Sequence, residues 1–213
     1  MGVRVVFFDC DGTLTKVKSS WQYLHERLGL WDELADAFQR RFRAGEIDYE
    51  EFCRRDAELW KGLPAERVLE ILREIPYQPG VKETMKALQR ASIETVILST
   101  GLAFLVDRVR AELEMTLAVA NELIVEEGNL SGGIRINVQH DHKGYWVRRI
   151  LKRLGMDKEE AAAVGDGEGD LAMFEAVGIA IGYHPSEKIV AALDHALYNS
   201  SFADVLNVLR AYK

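Results

Sequence analysis

Residues 3–15 read Val-Arg-Val-Val-Phe-Phe-Asp-Cys-Asp-Gly-Thr-Leu-Thr, an apolar run broken by two carboxylates. Val3 to Phe8 is rich in strand formers, and a continuous apolar run of this kind reads as a buried strand of a parallel sheet. Side chains alternate along a strand, so Asp9 and Asp11 leave on one side while Cys10 points away. Two like charges at the carboxyl end of a buried strand repel and invite a cation. In open α/β sheets ligands bind outside those strand ends. Gly12 lets the chain turn, and the Thr13 hydroxyl can cap the turn. A bare Asp-x-Asp is usually a solvated loop; the full string behind a hydrophobic strand is far more specific.

At 213 residues the chain can bury one main core with a small accessory domain. The balance of 27 basic against 34 acidic residues, net −7, disfavours nucleic acid as the main partner. Two cysteines, Cys10 and Cys53, imply neither a disulfide framework nor a cysteine-based zinc site. No apolar segment approaches the roughly 20 residues of a membrane-spanning helix. Val3–Phe8 runs straight into the acidic motif, unlike a signal peptide. The expectation is a cytoplasmic protein, with monomer and homodimer both open.

Between Lys16 and Ile75 the periodicity is helical. Trp21, Leu24 and Leu28, then Ala37, Phe38 and Phe42, recur at helical spacing, and Gly29, Gly45 and Gly62-Leu-Pro64 divide the region into about four helices. From Val81 helices and strands alternate: helix 81–91, strand 93–98, helix 102–114, strand 117–119. Residues 123–136 read as a β-hairpin turning at Gly128-Asn129. A helix over 145–154 follows. Strands at 161–164 and 178–182 flank a helix at 170–177, and a weak strand at 196–198 precedes a last helix over 202–212, which Ser200 or Ser201 could cap. The first strand therefore belongs to an α/β core formed by 1–15 and 77–213. Residues 16–76 form a helical insertion.

Three further pieces follow strand ends or open helices. Ser99-Thr100-Gly101 leads from strand to helix, where hydroxyls and free amides can bind an anion or simply cap the helix. Lys143 lies in Gln-His-Asp-His-Lys-Gly, just before a helix. The neighbouring His140, Asp141 and His142 suggest a metal site, but a polar connecting loop explains them better. Val164-Gly-Asp-Gly-Glu-Gly-Asp170 again follows an apolar strand, with Asp166 at its end and Asp170 opening the next helix.

Together these motifs resemble the haloacid dehalogenase-like superfamily, and its phosphoserine phosphatase-like branch in particular. The order is the superfamily's: Asp9 and Asp11, Ser99, Lys143, then Asp166 and Asp170. The Ala120–Val125 string and Lys143-Gly144 match that branch too. The resemblance covers essentially the whole chain. It implies a Rossmann-like parallel-sheet core with an inserted four-helix-type cap and a small β-hairpin. It also implies a Mg²⁺-dependent phosphatase acting on a small phosphorylated metabolite through an aspartyl-phosphate.

In that scheme Asp9 is the nucleophile and Asp11 the general acid and base. Asp9, the Asp11 carbonyl and Asp166 hold the metal, with Asp170 behind them. Lys143, Ser99, Thr100 and Gly101 hold phosphate. The departures lie in substrate recognition. Where the branch carries a glutamate for the substrate ammonium this chain has Lys18, and where it carries an arginine for the carboxylate it has Asp56, with Arg54 and Arg55 adjacent. Altered specificity is therefore expected. The alternatives are a true phosphoserine phosphatase, a phosphotransferase or phosphomutase using the same intermediate, and a regulatory binding protein on the same scaffold.

Overall fold

The computed structural model describes residues 2–31, 33–198 and 200–212. At its centre is β1 (Val5–Phe8), all four residues fully buried. Val6 and Phe8 enter one core while Val5 and Phe7 enter another. That two-sided burial is why the strand is apolar without alternation. β1 pairs in parallel with β2 (Glu94–Leu102) on one side and β5 (Ala161–Gly165) on the other. β3 (Leu117–Glu126) lies outside β2, with β4 (Asn129–Arg135) antiparallel at that edge. β6 (Ile179–Tyr183) and β7 (His195–Leu197) extend the other half in parallel. The order β4-β3-β2-β1-β5-β6-β7 reverses direction at β1. A crevice opens above the strand carboxyl ends at such a reversal.

Helices α5 (Val81–Arg90), α6 (Ala103–Glu112) and α9 (Asp204–Arg210) cover the Phe8 face. Helices α7 (Lys143–Leu154) and α8 (Leu171–Phe174) cover the Phe7 face. Between β1 and α5 run α1 (Ser20–Leu28), α2 (Glu33–Arg43), α3 (Tyr49–Leu59) and α4 (Ala65–Arg73). The Ser19 hydroxyl accepts from the Gln22 amide to start α1, and Gly29, at φ +68°, closes it in the left-handed region. Asp48 caps α3 by accepting from the Glu51 amide at 2.7 Å.

This helical segment leaves and returns at one point. Thr15 and Tyr77 form an antiparallel bridge, and the Gln78 amide donates to the Leu14 carbonyl at 2.9 Å. A second tether comes from the hairpin: the Gly62 amide donates to the Leu130 carbonyl at 2.7 Å, and that of Ala65 to Gly128 at 2.9 Å.

Three local expectations change. Strand β2 continues through Ser99-Thr100-Gly101 to Leu102, because β3 extends beside it and Leu102 pairs with Asn121 after a register shift. Ser99 and Thr100 thus sit inside a strand and cap no helix. Residues 117–126 are one strand shared by the parallel sheet and the hairpin. The helix expected over 170–177 is the short α8, preceded by a 3-10 turn at Glu168–Asp170. Among the described residues no helix is long and apolar enough to cross a membrane.

Candidate active site

The crevice above β1 opens into a cavity of about 760 Å³. Asp9 and Asp11 enter it from β1, Asp166 and Asp170 from the loop after β5, and Lys143 from the start of α7. Buried Lys143 donates to Asp9 Oδ1 at 2.7 Å and to Asp170 Oδ1 at 2.6 Å, bridging two segments 134 and 27 residues away. Asp170 spends its other oxygen on the backbone amides of Asp166 and Gly167, at 3.0 and 3.2 Å. Asp170 therefore folds its own loop and orients the lysine.

Asp11 Oδ2 accepts from both the amide and the hydroxyl of Ser20 at 2.7 Å, while its Oδ1 is buried with no hydrogen-bond partner. Asp166 Oδ1 lies 3.4 Å from the Thr13 hydroxyl, and its Oδ2 accepts from Lys18 Nζ at 2.6 Å. Glycines make this density possible. Gly12 turns at φ +80°, and a Cβ there would stand 2.5 Å from Asp166 Oδ2. At Gly101 a Cβ would meet Asp11 Oδ2 at 2.8 Å.

Burial pushes the Asp9 carboxyl well above the usual carboxylate range; the Asp170 charge adds to this and Lys143 offsets only part of it. Burial also raises Asp11, against its two Ser20 bonds, and Asp166, against its bond from Lys18. Burial works against the Lys143 charge, yet Asp170 and Asp9 hold its ammonium above the usual lysine value. The site is short of positive charge. Four carboxylates face two ammonium groups, −4 + 2 = −2 when all are ionised. Asp9, Asp166 and Asp170 offer oxygens within 4.8 Å of one another. An all-oxygen donor set with this residual charge fits a hard divalent cation.

The remaining expected residues divide sharply. Thr100 and Gly101 border the cavity. Ser99 is fully buried and does not border it; its Oγ accepts from the Gly101 amide at 3.0 Å, and its own O–H has no acceptor among the described residues. Lys18 borders the cavity, held by Asp166.

Asp56 and Arg55 do not. The inner face of α3 turns Asp56 away from the cavity, 1% exposed, with Oδ2 3.5 Å from His25 Nε2. His25 Nδ1 accepts from the Trp60 indole at 3.2 Å, and burial raises the Asp56 carboxyl despite the histidine. Arg55 pairs with Glu51 and lies over the Phe38 ring at 5.3 Å. Asp56, expected to meet substrate, thus lies in the interior of the helical segment and not on the cavity wall.

Other residues border the cavity to which sequence reasoning assigned no role in the site. Tyr49 donates to the Thr100 carbonyl at 2.9 Å, as does the Trp21 indole at 3.2 Å, and Asn121 Nδ2 donates to Tyr49 Oη at 2.9 Å. Gln39, Phe42, Arg43 and His140 also border the cavity. The helical spacing of Gln39, Phe42 and Arg43 signals only an amphipathic face, which by itself reads as packing, and His140 lies in the polar loop before α7.

Residues 6–175 match the family model for haloacid dehalogenase-like hydrolases. The phosphoserine phosphatase of Archaeoglobus fulgidus is 30% identical over 208 residues, and the match spans 97% of this chain but only 60% of that protein. The phosphoserine phosphatase of Methanocaldococcus jannaschii is 26% identical over 208 residues, covering 97% of this chain and 98% of that one. A solved structure of a phospho-aspartyl intermediate analogue of phosphoserine phosphatase superposes with a TM-score of 0.85 at 26% identity, over 98% of this chain and 99% of the other.

Proposed function

The chain belongs to the haloacid dehalogenase-like hydrolases, and from that premise we propose that it is a Mg²⁺-dependent phosphatase of small phosphorylated metabolites, working through a phosphoaspartate on Asp9. The observation that carries the reading is the Lys143 ammonium bridging Asp9 and Asp170 at the carboxyl end of β1, beside Asp11 and Asp166. Asp9 and Asp166, with the Asp11 carbonyl, would hold the cation; when bound it neutralises charge on the transferring phosphoryl oxygens.

Lys143 takes Asp9 Oδ1, so Oδ2 is the oxygen left to attack phosphorus. Lys143 holds a phosphate oxygen as a point charge, and Asp170 keeps it aimed. The Thr100–Gly101 edge supports the rest of the phosphate, and Ser99 braces that edge by accepting from the Gly101 amide. Asp11 Oδ1 is buried without a hydrogen-bond partner, and burial favours the protonated acid. Asp11 gives that proton to the leaving alkoxide, then takes one from the water that hydrolyses the phosphoaspartate. Residues 16–76 act as the cap that excludes bulk water and supplies substrate contacts.

The test is phosphate release from a panel of phosphorylated metabolites with Mg²⁺, together with mass spectrometry of acid-quenched enzyme. A phosphoryl adduct on the peptide containing Asp9 is expected. Turnover with the adduct on another residue would overturn the mechanism.

A further inference from the structure

We infer that the substrate is a phosphomonoester whose organic part carries a second anionic group on an apolar or aromatic body and lacks an ammonium; this rests on the phosphatase reading above. The helical segment supplies the cavity wall facing the catalytic acids. Among the described residues it brings no carboxylate to that wall: its polar contributions are Lys18, Ser19, Gln39 and Arg43, and the remainder are aromatic. Outside the catalytic acids the one other carboxylate at the cavity among the described residues is Glu168, and Lys188 occupies it at 2.9 Å. An ammonium on the substrate would therefore shed water for no partner and would face Lys18 and Arg43. Such an unpaired polar group is strongly disfavoured.

Arg43 is the group that asks for a ligand. Its α2 neighbours are already paired, Arg40 with Asp36 and Arg41 with Glu46. Arg43 has no ion pair or hydrogen bond among the described residues, and neither does the Gln39 side chain. Gln39, Phe42 and Arg43 stand at i, i+3 and i+4, so the amide, the ring and the guanidinium share one helix face. A guanidinium fork beside an amide donor suits a planar anion bidentately. The other side chains that the helical segment brings to the cavity, Ser19 and Lys18 aside, are aromatic. Phe42 stacks on Phe52 with centroids 5.2 Å apart, and the His140 ring meets Phe42 edge-on at 5.4 Å. Tyr49 and Trp21 complete this wall. A flat or apolar body spans it without leaving polar groups unsatisfied.

The experiment compares kcat/KM with Mg²⁺ for benzyl phosphate, 4-carboxybenzyl phosphate and 4-(aminomethyl)benzyl phosphate, whose methylene insulates the leaving oxygen from the substituent. One charge-assisted hydrogen bond is worth about 1.5–3 kcal/mol, or roughly 10–100-fold. The carboxyl ester should exceed the neutral one by at least about tenfold, with the ammonium ester slowest. A 4-phosphonobenzyl arm distinguishes a carboxylate from a second phosphate as the preferred anion. Arg43→Gln should cut the carboxyl-to-neutral ratio about tenfold, Arg43→Lys should keep part of it, and Arg43→Glu should bring the ammonium ester above the carboxyl one. A neutral ester that matches or beats the carboxyl ester, or an order unmoved by Arg43→Glu, overturns the inference and leaves the phosphatase intact. Failure of all three esters under conditions where folding is verified counts against the phosphatase reading itself.

Discussion

Lys143→Met tests the charge balance of the site directly. The methionine keeps an unbranched side chain of similar length in a fully buried slot and removes only the ammonium. Lys143 contacts Asp9 at 2.7 Å and Asp170 at 2.6 Å, and all three residues are less than a tenth exposed. Removing one partner of a buried pair leaves uncompensated charge and costs about 3–5 kcal/mol. For a chain of this size each kcal/mol moves Tm by about 2–4 °C, so the metal-free variant should melt about 6–20 °C lower. The measurement is calorimetry in EDTA.

The sign of the pH dependence follows. The folded Lys143 pKa is raised, so its contribution is complete below the ordinary lysine value and is lost only as pH rises through the folded value. From pH 8 to 5 that contribution is constant. The Asp9 carboxyl is raised as well, so it gains stability from protonation as pH falls through its folded value. The deficit of the variant should therefore shrink on acidification. The double variant Lys143→Met with Asp170→Asn should recover part of the loss, because one stranded charge is gone. A metal-free Tm within about 2 °C of the parent, or a deficit that grows toward pH 5, would refute the reasoning.

Asp9→Asn should abolish phosphate release with the fold intact by circular dichroism, and Asp11→Asn should lose about 10²–10⁴-fold, as general acid–base catalysis typically contributes. EDTA should silence turnover and Mg²⁺ restore it, while the larger and looser coordination shell of Ca²⁺ should restore little; activity surviving exhaustive chelation would contradict the metal reading. Phosphoserine should be a poor substrate, because among the described residues the helical segment brings Lys18 and no carboxylate to the cavity, and Glu168 there is already paired with Lys188; Lys18→Glu should raise its kcat/KM, and efficient turnover by the parent would contradict that reading. Asp56→Arg should lower Tm sharply and leave specificity unmoved, since it forces a guanidinium beside buried His25 and Trp60.

The core of the site was legible because strands turn sequence spacing into geometry. A period of two at the end of β1 fixes Asp9 and Asp11 on one side, and the apolar residues before them fix the strand as central. The glycines around Asp166 signal a tight loop, and the structure uses that room to pack carboxylates. Ser99 was legible as a strand-end residue only in part. Its strand continues because β3 lies beside it, and that pairing with Asn121 is non-local, invisible in the local pattern. The same long pairing merges two short expected strands into one.

Helices dilute this advantage, and that explains why Arg55 and Asp56, unlike Lys18, stand away from the cavity where the sequence expectation put them. Each residue along a helix turns the side chain by about 100°, given 3.6 residues per turn. A count that slips by one or two positions therefore points to a different wall. Counting back from Gly62 put Asp56 on the substrate, whereas the face it shares with Phe52 and Cys53 carries it one turn deeper, against His25. Arg43 lies at the end of α2, far along the chain from any strand that could fix its rotation, and nothing in its composition separates it from Arg40 or Arg41. Its partners do: Arg40 is neutralised by Asp36 on the helix itself and Arg41 by Glu46 just past its end, and Arg43 alone of the three reaches the cavity unpaired among the described residues. Lys18 shows the opposite case. Only seven residues beyond Asp11, it remains tied to the geometry of β1, and it sits against Asp166 at 2.6 Å. The cluster of carboxylates and lysine is thus encoded near the strands, while the wall that faces it depends on helix rotations that only tertiary packing settles.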